Sequence, residues 1–223
     1  MLNYEIDAAV LRSLVPYGTE LDAWEGRTFV SIVGFRFLDT RVRGFAIPGY
    51  RDFEELNLRF YVRRKAGDGW RRGVVFVKEI VPRRAIAWLA RAVYNENYVA
   101  LPMRHEITPP SSARRVVYEW LHGKRWHRLA VEFAGGPYVP TEDSEEAFIT
   151  EHYWGYARQR DGGTVEYEVE HPRWAVHRAT AGTLECDVSG FYGPGFGTFL
   201  RGRPSSAFVA GGSPVTVRRG GRL

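Results

Sequence analysis

Glu55, Asn57, Arg59 and Tyr61 stand two residues apart in this 223-residue chain, a spacing that turns four polar side chains into one chemical surface. On an extended strand, residues at i, i+2 and i+4 project to the same side. Leu56, Leu58, Phe60 and Val62 then form the opposite, apolar row. Two placements are open. If the polar row lines an enclosed space, the planar fork of Arg59, held by a neighbouring carboxylate, is a binder for a small carboxylate. Asn and Tyr are costly to bury without partners, so such a wall would be a paired one. If the row faces solvent, the apolar row alone fills the core.

Glu96, between Asn95 and Asn97, is a candidate for acid–base chemistry, beside the weaker group of His152 and His171 with Glu151 and Glu170. A buried carboxyl has a raised pKa and serves as a general acid or base near neutral pH. The competing reading is a helix C-terminus, where asparagines take left-handed caps and Glu96 is a surface acid. Lys78 lies in an apolar stretch, and desolvation of an inward-pointing amine would lower its pKa. Glu79 beside it suggests instead that the strand is leaving the core and that Lys78 reaches water. His152, His171, Trp154 and Trp174 gather around one hairpin with Glu151 and Glu170, but no metal-ligand spacing appears. No metal and no cofactor is expected. Gly193-Pro194-Gly195-Phe196-Gly197 reads as a loop of tight turns, not a phosphate cradle.

The elements that must position these groups are mostly strands. Aromatic residues make up 14% of the chain and there are 24 glycines, a composition that favours β-structure with many turns. Strands are expected over 28–38, 54–64 and 70–81, the last two joined by Ala66-Gly67-Asp68-Gly69. Residues 45–53 read as a loop. Pro82 opens a helix whose apolar stripe is Ala85, Ile86, Leu89, Ala92 and Val93, ending at Asn95–Asn97. Strands follow over 114–121 and 125–133, a short helix over 144–150, and a hairpin of 152–160 with 164–170. Strands near 174–180, 183–189 and 206–218 complete the chain. Many strands, one or two helices and no βαβ alternation predict a mainly β (α+β), barrel-like sheet in a single domain over 1–223.

The net charge of +5 leaves room for a polyanionic partner, and Arg63, Arg64, Lys65, Trp70, Arg71 and Arg72 make a basic, aromatic hairpin tip. Arginines and acids alternate along the chain, however, and hairpin tips are commonly charged for solubility. A nucleic-acid or protein interaction module is therefore the less favoured alternative. Cys186 is the single cysteine, which excludes an internal disulfide and fits a reducing cytoplasm. No signal peptide and no apolar run of membrane-spanning length is visible, so a soluble cytoplasmic protein is expected.

Four blocks, taken in order, resemble the YqjF-like family of the acetoacetate decarboxylase-like superfamily. They are Leu56-Asn57-Leu58-Arg59-Phe60-Tyr61-Val62, Tyr94-Asn95-Glu96-Asn97-Tyr98, His152-Tyr153-Trp154-Gly155-Tyr156 and Glu170-His171-Pro172-Arg173-Trp174. The resemblance implies a cone-like β-barrel with an interior cavity and flanking helices. Family members usually carry a short strand ahead of the point where this chain starts, which leaves two readings open: Met1 is an internal start, or a first strand is missing. In the superfamily's decarboxylases a Tyr-Pro-Lys-Lys run follows the helix, and its lysine forms a Schiff base activated by desolvation and by the second lysine. The matching place here reads Tyr94-Asn95-Glu96-Asn97. A carboxylate forms no imine, so the resemblance supports the scaffold and speaks against that decarboxylation. The expectation is a barrel that binds a small, anionic organic molecule. Arg59 would anchor the acid; Glu55, Asn57, Tyr61, Tyr94 and Glu96 would shape the polar end, and Trp154 and Trp174 an apolar wall. The alternative is an enzyme using Glu96 for proton transfer.

Overall fold

The computed structural model describes the chain except residues 43–44, 47–50, 89–94 and 109–113, and except the side chains of 42, 45 and 46. Strand β1 (Leu2–Glu5) leads to a single helical turn, α1 (Ala8–Leu11), started by the Asp7 carboxylate on the Ala9 N–H. Then come β2 (Glu20–Leu21), β3 (Phe29–Phe37), β4 (Arg41–Val42) and β5 (Phe45–Ala46). A long hairpin of β6 (Phe53–Ala66) and β7 (Gly69–Val81) follows, turning through Gly67 and Asp68. Helix α2 is described over 84–88 and packs Ile86 and Ala87 on Phe53, Val81 and Tyr98, while Ala85 of the expected stripe is exposed. Leu89, Ala92 and Val93 lie outside the described residues.

The chain continues through β8 (Tyr98–Ala100), β9 (Met103–Ile107), β10 (Arg114–His122), β11 (Arg125–Phe133) and α3 (Glu145–Thr150). Ser144 caps α3 by accepting from the Ala147 N–H, and Glu145 and Glu146 sit at its positive end. The remaining elements are β12 (Trp154–Arg158), β13 (Thr164–Glu170), β14 (Val176–Glu185), α4 (Val188–Tyr192), α5 (Pro194–Leu200), β15 (Ser206–Ala210), β16 (Thr216–Val217) and β17 (Gly221–Arg222).

The fold is mainly β, as expected. One 15-stranded sheet runs β16-β13-β12-β7-β6-β3-β1-β15-β14-β11-β10-β9, with β17 on β13, β2 on β6 and β8 on β7. Among the described residues its two ends do not pair, so the expected barrel is not closed. Where two strands were expected at 174–180 and 183–189, one strand, β14, runs through and ends at Glu185. The expected turn loop at 193–197 is instead the start of α5. Pro194 occupies its first turn, where a missing N–H costs nothing, and Gly193 supplies the positive φ of 107° that the preceding corner needs.

Strand β6 is covered on both sides. Leu56, Leu58, Phe60 and Val62 are fully buried in the main core with Leu2, Ile32, Trp120, Phe191 and Leu200. Each such side chain contributes about 1.5–3 kcal/mol of burial. The polar row faces the other way, yet Glu55, Asn57 and Tyr61 are also buried, at 3%, 2% and 1% exposure. Solvent is kept from them by α2 at the Phe53 end and by Phe148 and Ile149 of α3 at the Tyr61 end.

Candidate functional site

Three carboxyl groups collect on the polar side of this sheet. Asn57 of β6 is the antiparallel partner of Glu79 on β7, and Glu79 is in turn the parallel partner of Tyr98 on β8. Paired residues share a face, as do Glu55 and Asn57, while Glu96 stands in the turn that leads into β8. Asn57 Nδ2 donates to Glu55 Oε1 at 3.3 Å, and the Tyr98 hydroxyl donates to Glu55 Oε2 at 3.2 Å. The Tyr167 hydroxyl donates to Glu96 Oε1. Glu55 and Glu79 are buried, whereas Glu96 and Tyr98 are part-exposed, so the cluster meets solvent on the Glu96 side.

The loop holding Glu96 is fixed by its neighbours. Asn95 adopts left-handed φ of 57°, the conformation expected of it, and its amide donates to Arg158 O at 2.9 Å. The Asn97 amide donates to Val77 O at 2.9 Å, and Asn97 O accepts from the Glu79 N–H at 3.0 Å. Tyr167, on β13, reaches Glu96 across β12, where it is paired with Gly155. A Cβ on Gly155 would stand 2.1 Å from Tyr167 Cζ, so the bare glycine makes room for the ring.

Burial without a cation dominates the electrostatics. Glu55 is pushed up to about 8 by burial, against the hydrogen bonds from Asn57 and Tyr98. Burial likewise raises Glu79 well above the carboxylate range, reinforced by the charges of Glu96 and Glu55. Glu96 is raised to about 7 by burial, with the Tyr167 bond pulling it down. Such a carboxyl holds or gives up a proton near neutral pH, which is the chemistry of a general acid or base.

The expected site residues separate into three groups. Glu55, Asn57 and Glu96 belong to this cluster. Arg59 and Tyr61 lie further along the same face. Arg59 Nη2 donates to Ile149 O at the end of α3 at 3.2 Å, and its guanidinium stands 5.7 Å from the Tyr61 ring centre. The carboxylate expected to hold Arg59 is not there; among the described residues Arg59 makes no ion pair, and its buried Nε has no hydrogen-bond partner. The Tyr61 hydroxyl meets Ser31 Oγ, which donates to Asn3 Oδ1 at 2.7 Å. Trp154 packs into the main core on the opposite side, under the Arg71 guanidinium at 4.2 Å. Trp174 stacks on His171 at 4.2 Å and donates to Ser213 at 2.7 Å. Tyr94 lies outside the described residues.

Glu79, Tyr98 and Tyr167 complete the cluster and were not foreseen. The sequence pattern suggests that β7 leaves the core at Glu79, whereas the residue is 1% exposed. The cause is a bulge: Leu58 pairs with Lys78 and Arg59 with Phe76, leaving Val77 unmatched. The extra residue reverses the alternation of β7 and turns Glu79 to the polar side. Lys78 turns to the main core, where its ammonium donates to Phe191 O and stands 4.2 Å from the Phe191 ring. Desolvation lowers its pKa.

A second buried polar group lies by Tyr61. His152 Nε2 is 3.4 Å from Asp22 Oδ2, which accepts from Arg72 Nε at 2.7 Å. Burial pushes His152 down to about 4 despite Asp22. The basic hairpin tip is neutralised: Glu20 takes Arg63 at 2.7 Å, and Glu166 takes Arg64 at 2.6 Å and Arg71 at 2.7 Å. Its arginines are thereby committed within the fold.

Comparison with known proteins agrees with this architecture. The model of the family DUF2071, described as an uncharacterized conserved protein, matches residues 1–214. The uncharacterized protein YqjF of Bacillus subtilis (strain 168) is 29% identical over 182 residues, covering 80% of this chain and 72% of its own. Acetoacetate decarboxylase from Legionella pneumophila superposes with a TM-score of 0.67 at 13% identity, over 100% of this chain and 82% of that one. The enduracididine biosynthesis enzyme MppR, complexed with pyruvate, does so at 0.62 and 13% identity, over 99% of this chain and 83% of that one. At these identities the two enzymes share the fold with this chain. No helix among the described residues is long and apolar enough to cross a membrane.

Proposed function

The chain belongs to the DUF2071 family, and on that footing we propose that it binds a small organic molecule at the Glu55–Glu79–Glu96 cluster and exchanges a proton with it through Glu96. The observation that carries this reading is Glu96 itself: a carboxyl raised to about 7, held by Tyr167, on the solvent side of an otherwise buried acid group. Glu96 also stands where the resemblance puts the decarboxylases' lysine run. An enzyme of the same fold is complexed with pyruvate, which supports a small ligand on this scaffold. With a carboxyl at that place, proton transfer replaces imine formation as the available chemistry.

A carboxylate on the ligand has a second reading to favour it. Arg59 is a part-buried guanidinium with no ion pair among the described residues and an unpartnered Nε. An acid placed there would complete its hydrogen bonds.

A thermal-shift screen of small carboxylates, keto acids, alcohols and amines tests both points. At least one member is expected to raise the Tm of the wild type and to lose that effect in Glu96→Gln. If no member stabilises the protein, or if Glu96→Gln and Arg59→Ala respond like the wild type, the reading is wrong. Borohydride with keto acids is expected to trap no adduct on Lys78.

A further inference from the structure

We infer that the Glu55–Glu79–Glu96 cluster receives a cationic nitrogen, an ammonium or guanidinium group, carried by its ligand. The inference deepens the small-molecule reading of this site and rests on it. Its basis is what the cluster has left to offer. One Asn57 amide N–H is spent on Glu55 Oε1, the Tyr98 hydroxyl donates to Glu55 Oε2 and also bonds the Glu79 carboxyl, and the Tyr167 hydroxyl donates to Glu96 Oε1. Two buried atoms have no partner, Asn57 Oδ1 and Glu79 Oε2. Asn57 Oδ1 can only accept, and Glu79, which holds its proton in the free site, can only accept once that proton has left. Leaving such groups unmet is unfavourable, so a ligand that supplies N–H donors fits where one that supplies acceptors does not.

Charge argues the same way. Glu55 and Glu79 share one face of β6 and β7, Glu96 stands in the turn that enters β8, and none of the three forms an ion pair with a described cation. An anionic ligand group would meet like charge or force all three to stay protonated. Among the described residues no three ligating side chains converge closely enough to hold a metal ion. An organic cation, with N–H groups spread over several ångströms, spans such a set where a metal does not.

The binding step balances simply. The free site holds protons on its raised carboxyls; the arriving cation ionises at least one of them, and that proton leaves to solvent. The carboxyls that face the cation are Glu55 from β6, Glu79 from β7 and Glu96 from the turn before β8, with the Tyr98 and Tyr167 hydroxyls beside them as donors. Affinity therefore rises with pH, up to about tenfold per unit for each proton released, until the carboxyl is ionised in the free protein.

The experiment is calorimetric titration of the full chain with four probes of matched size: n-butylguanidinium, n-butylammonium, 1-butanol and butyrate. Runs in two buffers of different ionisation enthalpy count the protons. The two cations are expected to bind at pH 7 with proton release, and to weaken at least tenfold in Glu96→Gln and in Glu79→Gln. Glu96 is part-exposed, so its variant keeps the test readable if the buried substitution fails to fold. Binding of butanol or butyrate in preference, lost in Glu96→Gln, overturns the cationic class and leaves the small-molecule reading standing. Cation binding indifferent to both substitutions, or accompanied by no proton release, overturns the inference. Absence of binding by all four probes overturns it as well, while the broader screen decides the small-molecule reading separately.

Discussion

Tyr167 reaches the Glu96 carboxyl by laying its ring across Gly155, and the two residues are direct cross-strand partners in β12 and β13. The glycine is a steric requirement of the site. A Cβ there would fall 2.1 Å from Cζ and 2.4 Å from the hydroxyl of Tyr167.

Gly155→Ala is therefore expected to cost roughly 1–3 kcal/mol by overpacking, several degrees of Tm in a protein of this size. Making the change in a Tyr167→Ala background should remove most of that cost, because the clashing ring is gone. Thermal unfolding of the four variants of this cycle reads the coupling. Equal costs in both backgrounds would mean that Tyr167 does not lie over Gly155.

The polar row of β6 could be read from the chain because two-residue spacing is undisturbed within that strand, so Glu55, Asn57, Arg59 and Tyr61 do share a face. What spacing could not say is that both faces are buried, since that depends on where α2 and α3 lie. Glu79 was unreadable for a sharper reason. The bulge at Val77 is set by pairing with β6, and one extra residue inverts every side chain after it. Tyr98 could have been found, standing two residues beyond Glu96 where the chain enters β8. Tyr167 could not, as no local pattern joins residues 71 positions apart. Pro194 misled in the opposite direction: Gly-Pro-Gly has the composition of a turn, but a proline in a first turn serves a helix equally well.

The acid cluster should make the protein less stable as pH rises. The unfolded chain loses the Glu55 and Glu96 protons near 4.5, while the native state keeps them to about 8 and about 7. Between those values the native state binds more protons, so stability falls with pH, by up to about 1.4 kcal/mol per unit for each group. Glu55→Gln, neutral at every pH, is expected to flatten this slope. Urea unfolding from pH 6.5 to 8, above the range in which His152 contributes a slope, checks it. A wild type whose stability is flat across that range would show the carboxyls to be ionised and paired.

His152 works in the opposite direction. It is held near 4 by burial, against 6.5 for the unfolded residue, so the unfolded chain binds the extra proton between those values. Stability contributed here is complete above 6.5 and is lost as pH falls toward 4. Asp22, held below 3.8 by His152 and Arg72 against its own burial, loses its contribution only at still lower pH. His152→Gln should therefore be less sensitive than the wild type between pH 6.5 and 4, at some general cost in packing against Tyr61 and Phe148. If the acid slope is the same in both, His152 is not the group responsible.

Tyr167→Phe isolates the hydrogen bond on which proton exchange at Glu96 depends. Burial raises this carboxyl, and the Tyr167 hydroxyl opposes it by stabilising the ionised form. Removing the hydroxyl keeps the ring over Gly155 and takes away only the donor. A hydrogen bond to a charged group contributes about 1.5–3 kcal/mol, so the Glu96 pKa should climb by roughly 1–2 units above its present value of about 7. Carboxyl carbon shifts of Glu96, followed through a pH titration, report that value directly. The Gly155 contact predicts that the same variant folds with near-normal stability, so a changed titration cannot be ascribed to lost structure. A Glu96 carboxyl that titrates identically with and without the Tyr167 hydroxyl would break the link between these two residues. Glu96 would then have no partner to hold it for chemistry.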